Sequence, residues 1–356
     1  MKELSLIGGV NSLSYGVCTT NILHNLHMKG CIVNMFPLGP IEYTPGQRES
    51  IETAMYNAKA GTYDPNAPCI RLWHQHDLHM FVGRGKHIGW PIFELDTFTE
   101  SEAAQLSRCD ELIVCSEWAK QVMEQNLGDS CPKTHVINLG VNRDIFYEEE
   151  NIRKPTIYLN IGKWETRKGH DILPMIWEKT FANDPDAELW LMIDNPFFDN
   201  GQMAQLKSKF TGRNVTFIPR LNNIEQVADV IRQADCAIFP SRAEGWNLPL
   251  LECMSCGKHA IATNYSAHTE MTEGFISIEP DGVELAYGAP GLDDRWFTGQ
   301  GNWAKLGETY IDKFVNEMKL IHTRKQTGQL GLNCAGIDLA KRLSWENTAE
   351  SVLQLI

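Results

Sequence analysis

Cys236-Ala-Ile-Phe-Pro-Ser-Arg-Ala-Glu-Gly-Trp-Asn-Leu-Pro-Leu-Leu-Glu252 reads as an apolar strand, a loop and the start of a helix. The run to Phe239 has the length and flanks of a buried strand. Gly245 marks the loop, and a helix pattern runs from Leu248 to about Cys256. N–H groups at such a helix start lack intrahelical acceptors and, with the helix dipole, favour an anion. Glu244 lies in the loop and Glu252 about one turn into the helix. Both can face one crevice at the C-terminal edge of a sheet, where open α/β folds place ligands. Packing explains two such carboxylates poorly. Hydroxyl recognition explains them well, because a carboxylate accepts hydrogen bonds from sugar or ribose O–H groups.

The strand–helix alternation extends outward from this stretch. Thr156–Ile161, Leu189–Ile193, Val215–Ile218 and Ala260–Ala262 read as further strands, with a helix over Ile224–Gln233. Nearer the N-terminus the strand candidates are Leu4–Ile7, Cys31–Phe36, Cys69–Trp73, Glu111–Cys115 and His135–Asn138. Helix patterns run through Ile22, Leu23 and Leu26 and from Glu117 to Leu127. This order implies α/β architecture with mostly parallel, doubly wound sheets. At 356 residues the chain exceeds what one core serves. The charge run Tyr147–Pro155 reads as a linker. The expectation is two Rossmann-like domains, 1–150 and 151–340, facing a central cleft. The closing segment 341–356, a helix from about Ser344 to Leu355, can cross back to the first domain. A further helix is expected over Trp303–His322. Residues 274–302 are rich in Gly, Pro and Asp and show no period.

Apolar residues make 43% of the chain and charged residues 22%, which excludes a disordered or fibrous protein. Mean hydropathy is −0.28, and no run approaches the roughly 18–20 apolar residues of a membrane span. The first residues are too short an apolar stretch for a signal peptide. With ten scattered cysteines, this leads us to expect a reducing, cytoplasmic setting. Cys253 and Cys256 form a C-x-x-C that reads as two buried thiols on a helix rather than a redox pair. The net charge is −13, and residues 1–150 carry 11 Lys+Arg against 19 Asp+Glu. Bulk electrostatics therefore oppose nonspecific binding to nucleic acid or anionic lipid.

Three more constellations carry chemistry. Asn160-Ile-Gly-Lys-Trp-Glu-Thr-Arg-Lys-Gly169 follows a strand. Gly162 permits a turn, and Lys163 and Lys168, with Arg167 between them, concentrate positive charge in an acidic protein. A departing pyrophosphate needs such charge. Gly8-Gly9-Val-Asn-Ser-Leu-Ser-Tyr-Gly16 reads as a polar, glycine-rich loop after the first strand. It is neither a Walker loop nor G-x-G-x-x-G. Trp73-His-Gln-His-Asp-Leu-His79 ends another strand. The spacing of its histidines suits zinc poorly, and a crevice wall with one substrate-contacting His fits better. Asp184-Pro-Asp186 resembles a metal motif in letters only and sits in a turn context.

Taken in order, Gly162-Lys163…Lys168-Gly169, Glu244…Glu252 and the His76-Asp77 pair resemble the family-four retaining glycosyltransferases of the GT-B fold. The match is densest over Ile157–Glu273. Gly8–Gly16, Leu112–Ser116 and Val136–Asn142 add weaker support. The resemblance implies that Lys163 and Lys168 hold a donor diphosphate. It implies that Glu252 binds the nucleotide ribose and Glu244 sugar hydroxyls. Gly245, Trp246, Asn247 and Leu248 would touch sugar and phosphate through their backbone, and His76 would contact the donor sugar near the reacting centre. Gly8, Gly9, Tyr15 and Gly16 would lie against the diphosphate. His76, Lys168 and Glu244 are the implied catalytic set. Lys163 stands where the family usually has Arg, which removes the bidentate fork. Trp246-Asn247 stands for the more usual Phe-Gly.

Cys115–Lys120, Pro240–Leu248 and Asn264–Glu270 are also similar to glycosyltransferases of large DNA bacteriophages. Some of these act on hydroxymethylated cytosine in DNA, reached by extruding the base. Gly83-Arg-Gly-Lys-His87 is a local basic loop that fits phosphate or an exposed turn equally.

These readings converge on a retaining hexosyltransferase. The donor is a nucleotide-diphosphate sugar, with UDP-glucose as the default. The acceptor is a hydroxyl, with 5-hydroxymethylcytosine in phage DNA as one candidate. Fixed cations take the place of a metal, so no cofactor is required. The alternatives are a nucleotide-sugar 2-epimerase of the same fold and a non-catalytic nucleotide-sugar-binding protein.

Overall fold

The computed structural model describes residues 2–43, 46–59 and 61–356. The chain divides into two units, one of 1–140 with 343–356 and one of 141–342. The first contains β1 (Glu3–Val10), α1 (Ser14–Met28), β2 (Ile32–Ile41), α2 (Arg48–Lys59), β3 (Cys69–Trp73), β4 (His87–Pro91), α3 (Glu100–Leu106), β5 (Glu111–Val114), α4 (Glu117–Leu127) and β6 (Lys133–Val136). Its six strands pair in parallel in the order β2-β1-β3-β4-β5-β6. Leu6 of β1 sits opposite Met35 on one side and Ile70 on the other. Helix starts follow capping chemistry. Thr99 and Glu102 form a reciprocal capping box, and Ser116 Oγ accepts the Ala119 N–H. Strand β4 has no clear signal in the sequence, because Gly89 and Pro91 interrupt its apolar run although Ile88 and Trp90 are fully buried.

The second unit contains β7 (Thr156–Ile161), α5 (Leu173–Phe181), β8 (Ala187–Met192), α6 (Asn200–Lys207), β9 (Val215–Phe217), α7 (Ile224–Arg232), β10 (Cys236–Phe239), α8 (Leu248–Ser255), β11 (His259–Thr263), β12 (Ile276–Ile278), β13 (Val283–Tyr287), β14 (Thr298–Ala304), α9 (Glu308–Gln326) and α10 (Cys334–Arg342). Six strands pair in parallel in the order β12-β11-β10-β7-β8-β9. Strands β7 and β10 are buried along their whole length, as parallel strands covered on both faces must be. One continuous core joins Tyr158, Leu173, Trp177 and Phe181 to Tyr310 and Phe314 of α9.

Two expectations change, and the segment without a period, 274–302, gains structure, since β13 and β14 form an antiparallel hairpin there. Val283, Leu285 and Tyr287 are exposed and β14 is rich in glycine, so the hairpin writes no buried alternation into the sequence. Its helix starts at Glu308 rather than Trp303, which is buried in β14. The unit boundary falls at 140–141 rather than 150. The supposed linker is pinned to the second unit: Lys258 Nζ donates to the Glu149 carbonyl (2.5 Å) and Asn151 Nδ2 to Asp235 (3.0 Å). The last helix, α11 (Trp345–Leu355), belongs to the first unit. There Thr348 Oγ1 donates to the Asn138 carbonyl at 2.8 Å and Lys2 Nζ to the Ile356 carbonyl at 2.7 Å. No described helix is long and apolar enough to cross a membrane.

Candidate functional site

Strand order in the second unit reverses between β7 and β10. They are hydrogen-bonded neighbours, yet the chain leaves them toward opposite sides of the sheet. Loops at such a switch point diverge and leave a crevice. The loop after β7 is 162–169 and the loop after β10 is 240–247, the two stretches singled out by sequence. They touch directly. Gly169 has φ +72°, and a Cβ there would lie 1.9 Å from the Pro240 carbonyl oxygen. Trp164 is 1% exposed and roots the first loop in the core. Asn195 Nδ2 donates to its carbonyl at 2.8 Å.

The side chains of these loops form a buried charge network. Glu244 Oε1 accepts from Lys168 Nζ at 2.8 Å and from Ser241 Oγ at 2.9 Å, and Oε2 accepts from Arg167 Nη1 at 2.7 Å. Arg167 also donates to the Ala243 carbonyl (2.7 Å) and to Glu165 Oε2 (2.8 Å). Lys163 Nζ lies 2.7 Å from Glu165 Oε1 and over the rings of Phe197 and Trp296. Burial alone would raise the Glu244 carboxyl, but Arg167 and Lys168 hold it well below the usual carboxylate range. Glu165 is likewise lowered, burial being outweighed by Arg167, Lys163 and Lys168. Beneath the loop, burial and Lys168 push His170 down to about 3. Its Nδ1 accepts the Glu165 N–H at 3.1 Å, and its Nε2 lies 2.8 Å from Asn160 Oδ1.

The cations are therefore not the unpaired cluster that the sequence suggests. The spacing hides Glu165 and Glu244 as their partners. The pairing leaves capacity, because an ammonium has three N–H donors and Lys168 spends one on Glu244. Glu244 has about four acceptor sites and uses three.

Helix α8 continues the site. Asn247 has φ +81°, a left-handed conformation that Asn tolerates better than most residues. Its Oδ1 accepts the Leu250 N–H at 3.3 Å, and its Nδ2 lies 2.9 Å from His268 Nε2. Asn thus stands in for Gly here while capping the helix. The N–H groups of Gly245, Trp246, Asn247 and Leu248 meet no acceptor among the described residues. The Trp246 indole N–H is buried and also unsatisfied. The carboxylate of Glu252, half-buried in the second turn, has no hydrogen-bond or ion-pair partner among the described residues. Burial pushes its carboxyl up to about 7.

In the first unit the order reverses between β1 and β3, and the other predicted residues cluster at their ends. The glycine-rich loop is shorter than expected. Gly8 and Gly9 lie in β1, and Gly16, like Tyr15, lies in α1. Only Asn11–Leu13 lies between the two elements. Gly16 serves close approach, since a Cβ there would sit 2.2 Å from the Asn11 carbonyl oxygen. The Tyr15 hydroxyl donates to the Ile92 carbonyl at 2.7 Å and lies 3.1 Å from His74 Nδ1. His76 is exposed and stacks on His74, ring centroids 5.0 Å apart. Arg71, 2% exposed, shapes this loop by donating to the Asp77 carbonyl (2.7 Å), Asp77 Oδ2 (2.9 Å) and the Met80 carbonyl (3.1 Å). In the basic loop Lys86 is exposed but paired to Glu111 at 2.8 Å and His87 stacks on Phe81, while Arg84 is exposed with no ion-pair partner among the described residues. No group of three His, Cys, Asp or Glu able to hold a metal is found among the described residues.

Sequence reasoning missed Arg167, Arg71, Arg242 and Asp293. Each is a charged residue buried by its partners, which lie far off in the chain for Arg167, Arg242 and Asp293 and in the following loop for Arg71, and only Arg167 had a signal, its place between motif positions. Arg242 clamps Asp171 with two bonds (2.7 and 2.9 Å) and donates to the Thr166 carbonyl at 2.6 Å.

Residues 155–288 match the family model described as Glycosyl transferases group 1. Over its full length the chain is similar to sucrose-phosphate synthase from Thermosynechococcus elongatus, with 17% identity, a TM-score of 0.70 and 98% of that chain covered. It is also similar to HepE of Anabaena in complex with UDP-glucose, with 15% identity, a TM-score of 0.66 and both chains fully covered. The fold is GT-B. In sequence, an uncharacterized glycosyltransferase of Methanocaldococcus jannaschii is 27% identical over 243 residues, 68% of this chain. The match spans 58% of that relative's length.

Proposed function

We propose that the protein is a retaining glycosyltransferase that moves a hexosyl group from a UDP-sugar to a hydroxyl acceptor. The observation that carries the reading is the state of α8. Among the described residues, four consecutive N–H groups at its start have no acceptor and the Glu252 carboxylate one turn on has no partner. Ribose hydroxyls donating to Glu252, and a diphosphate on the amides and on the spare N–H donors of Lys168 and Lys163, would satisfy both. HepE, a solved structure of this fold, binds UDP-glucose, which supports UDP as the nucleotide.

In this reading the chemistry is leaving-group stabilisation. As the anomeric bond breaks, negative charge grows on the diphosphate, and the lysines and amides are already aimed at it. Glu244, held anionic by Arg167 and Lys168, keeps Lys168 in place and offers one acceptor site to a sugar hydroxyl. The acceptor hydroxyl attacks from the face the diphosphate leaves, and a diphosphate oxygen takes its proton. No side-chain nucleophile is needed. His76, Tyr15 and Gly16 of the first unit are assigned to the donor's sugar and diphosphate by the resemblance alone.

A panel of nucleotide sugars, followed by the best donor with hydroxymethylated DNA and with simple glycans, tests the proposal. The expected result is transfer from a UDP-sugar with the anomeric configuration kept. An inverted product overturns the retaining mechanism. Interconversion of the sugar without acceptor points to the epimerase, and binding with no transfer to any acceptor points to a non-catalytic protein.

A further inference from the structure

Thr166 is gripped by side chains from outside its loop at every polar atom it has. Its N–H donates to Asp293 Oδ2 at 2.6 Å and its hydroxyl to Asp293 Oδ1 at 3.0 Å. Its carbonyl accepts from Arg242 Nη1 at 2.6 Å. Asp293 is 0% exposed, and its remaining bond comes from the Ala289 N–H at 2.6 Å. No cation pairs with it among the described residues. A buried carboxylate without a counter-charge is held by its hydrogen bonds alone, and losing one is costly. The same turn carries Trp296, whose ring lies 5.8 Å from Lys163 Nζ. The turn 288–297 therefore meets the lysine loop at both Lys163 and Thr166.

We propose that Asp293 is a positioning residue of the donor site. It fixes Thr166, and through the chain it fixes the next two residues, Arg167 and Lys168, in the geometry that holds Glu244. Packing alone does not call for a carboxylate at this position, whereas orienting an N–H and an O–H together does. The inference rests on the reading of loop 162–169 as the diphosphate site, and it gives the hairpin region 283–304 a task. Its turn is a brace that keeps the cations in place before the donor arrives.

The test compares Asp293→Asn, Thr166→Val and Thr166→Ser with the wild-type chain. Donor and acceptor kinetics are read together with hydrogen exchange of the peptide spanning 163–169. In Asp293→Asn the amide NH2 must face either the Thr166 N–H or the Ala289 N–H, so one of these backbone donors loses its acceptor. The expected result is a fall in kcat/KM for the donor on the order of tenfold or more, with the acceptor KM unchanged and faster exchange in the loop. Thr166→Val should show a smaller loss of the same kind, and Thr166→Ser should restore wild-type behaviour. Wild-type donor kinetics and wild-type exchange in both Asp293→Asn and Thr166→Val overturn the proposal. If Asp293→Asn fails to fold, the Val and Ser variants decide. If the wild-type chain handles no nucleotide sugar, the donor-site reading fails, and exchange alone then judges the brace: unchanged rates reject it and faster rates support it.

Discussion

Glu244 and Glu252, eight residues apart on one loop and helix, have opposite affinities for a proton. Glu244 is held well below the usual carboxylate range because Arg167 and Lys168 outweigh its burial. The Glu252 carboxylate, half-buried and without a partner among the described residues, is raised by burial to about 7. The first is already satisfied by the fold. The second is satisfied only by something from outside.

The unpartnered Glu252 costs stability, and the sign follows from its raised pKa. Between the unfolded carboxyl range and about pH 7 the folded chain binds the extra proton, so stability falls as pH rises through that window. At full ionisation the cost is on the order of 3 kcal/mol. Glu252→Gln should therefore be more stable than wild type at pH 8, with the difference shrinking toward pH 5. Urea unfolding at the two pH values checks this. Equal differences at both would contradict it.

Arg167 neutralises two buried carboxylates at once. Arg167→Ala leaves Glu165 and Glu244 short of a cation and should destabilise the second unit by about 3–5 kcal/mol. Adding Glu165→Gln to that variant should recover part of the loss. A loss near zero in the single variant would show that the network does not carry this load.

Lys168 is a different case, because among the described residues it pairs with Glu244 alone, and Glu244 keeps Arg167 and Ser241 when Lys168 is removed. Lys168→Ala should leave the fold intact and cut turnover on the order of 100-fold, with the acceptor KM near wild type. Steady-state kinetics decide it. Turnover close to wild type would remove Lys168 from the mechanism.

At Asn247 the backbone sets the ranking of variants. Asn247→Ala loses the cap and the His268 contact and strains a left-handed residue, about 2–3 kcal/mol together. Asn247→Gly loses the contact and little of the cap, without strain, about 1 kcal/mol. Thermal unfolding that ranks Ala above Gly would contradict the assigned geometry.

Local signals carried much of this structure. Helix α4 and strand β7 match their sequence boundaries because apolar runs and the Ser116 cap mark them. The loop pair after β7 and β10 was legible because β-α-β order forces loops of neighbouring strands to one edge. What was not legible depends on tertiary partners. Gly8 and Gly9 extend β1 because β2 pairs with them, and glycine alone does not reveal that. Glu165 and Asp293 look like solvent charges in the sequence, yet each is buried against donors from elsewhere in the fold. The hairpin β13–β14 is only partly buried and wrote no period.

Proton-linked titration calorimetry of UDP, run near pH 6.5 in buffers of different ionisation enthalpy, tests the central claim most directly. If ribose hydroxyls donate to Glu252, binding favours the charged carboxylate and releases a fraction of a proton. The account predicts that release in the wild-type chain. In Glu252→Gln it predicts a smaller release, the part due to the UDP terminal phosphate alone, and binding weakened on the order of tenfold. Absence of UDP binding to the wild-type chain, or equal affinity and equal proton release in Glu252→Gln, would contradict it.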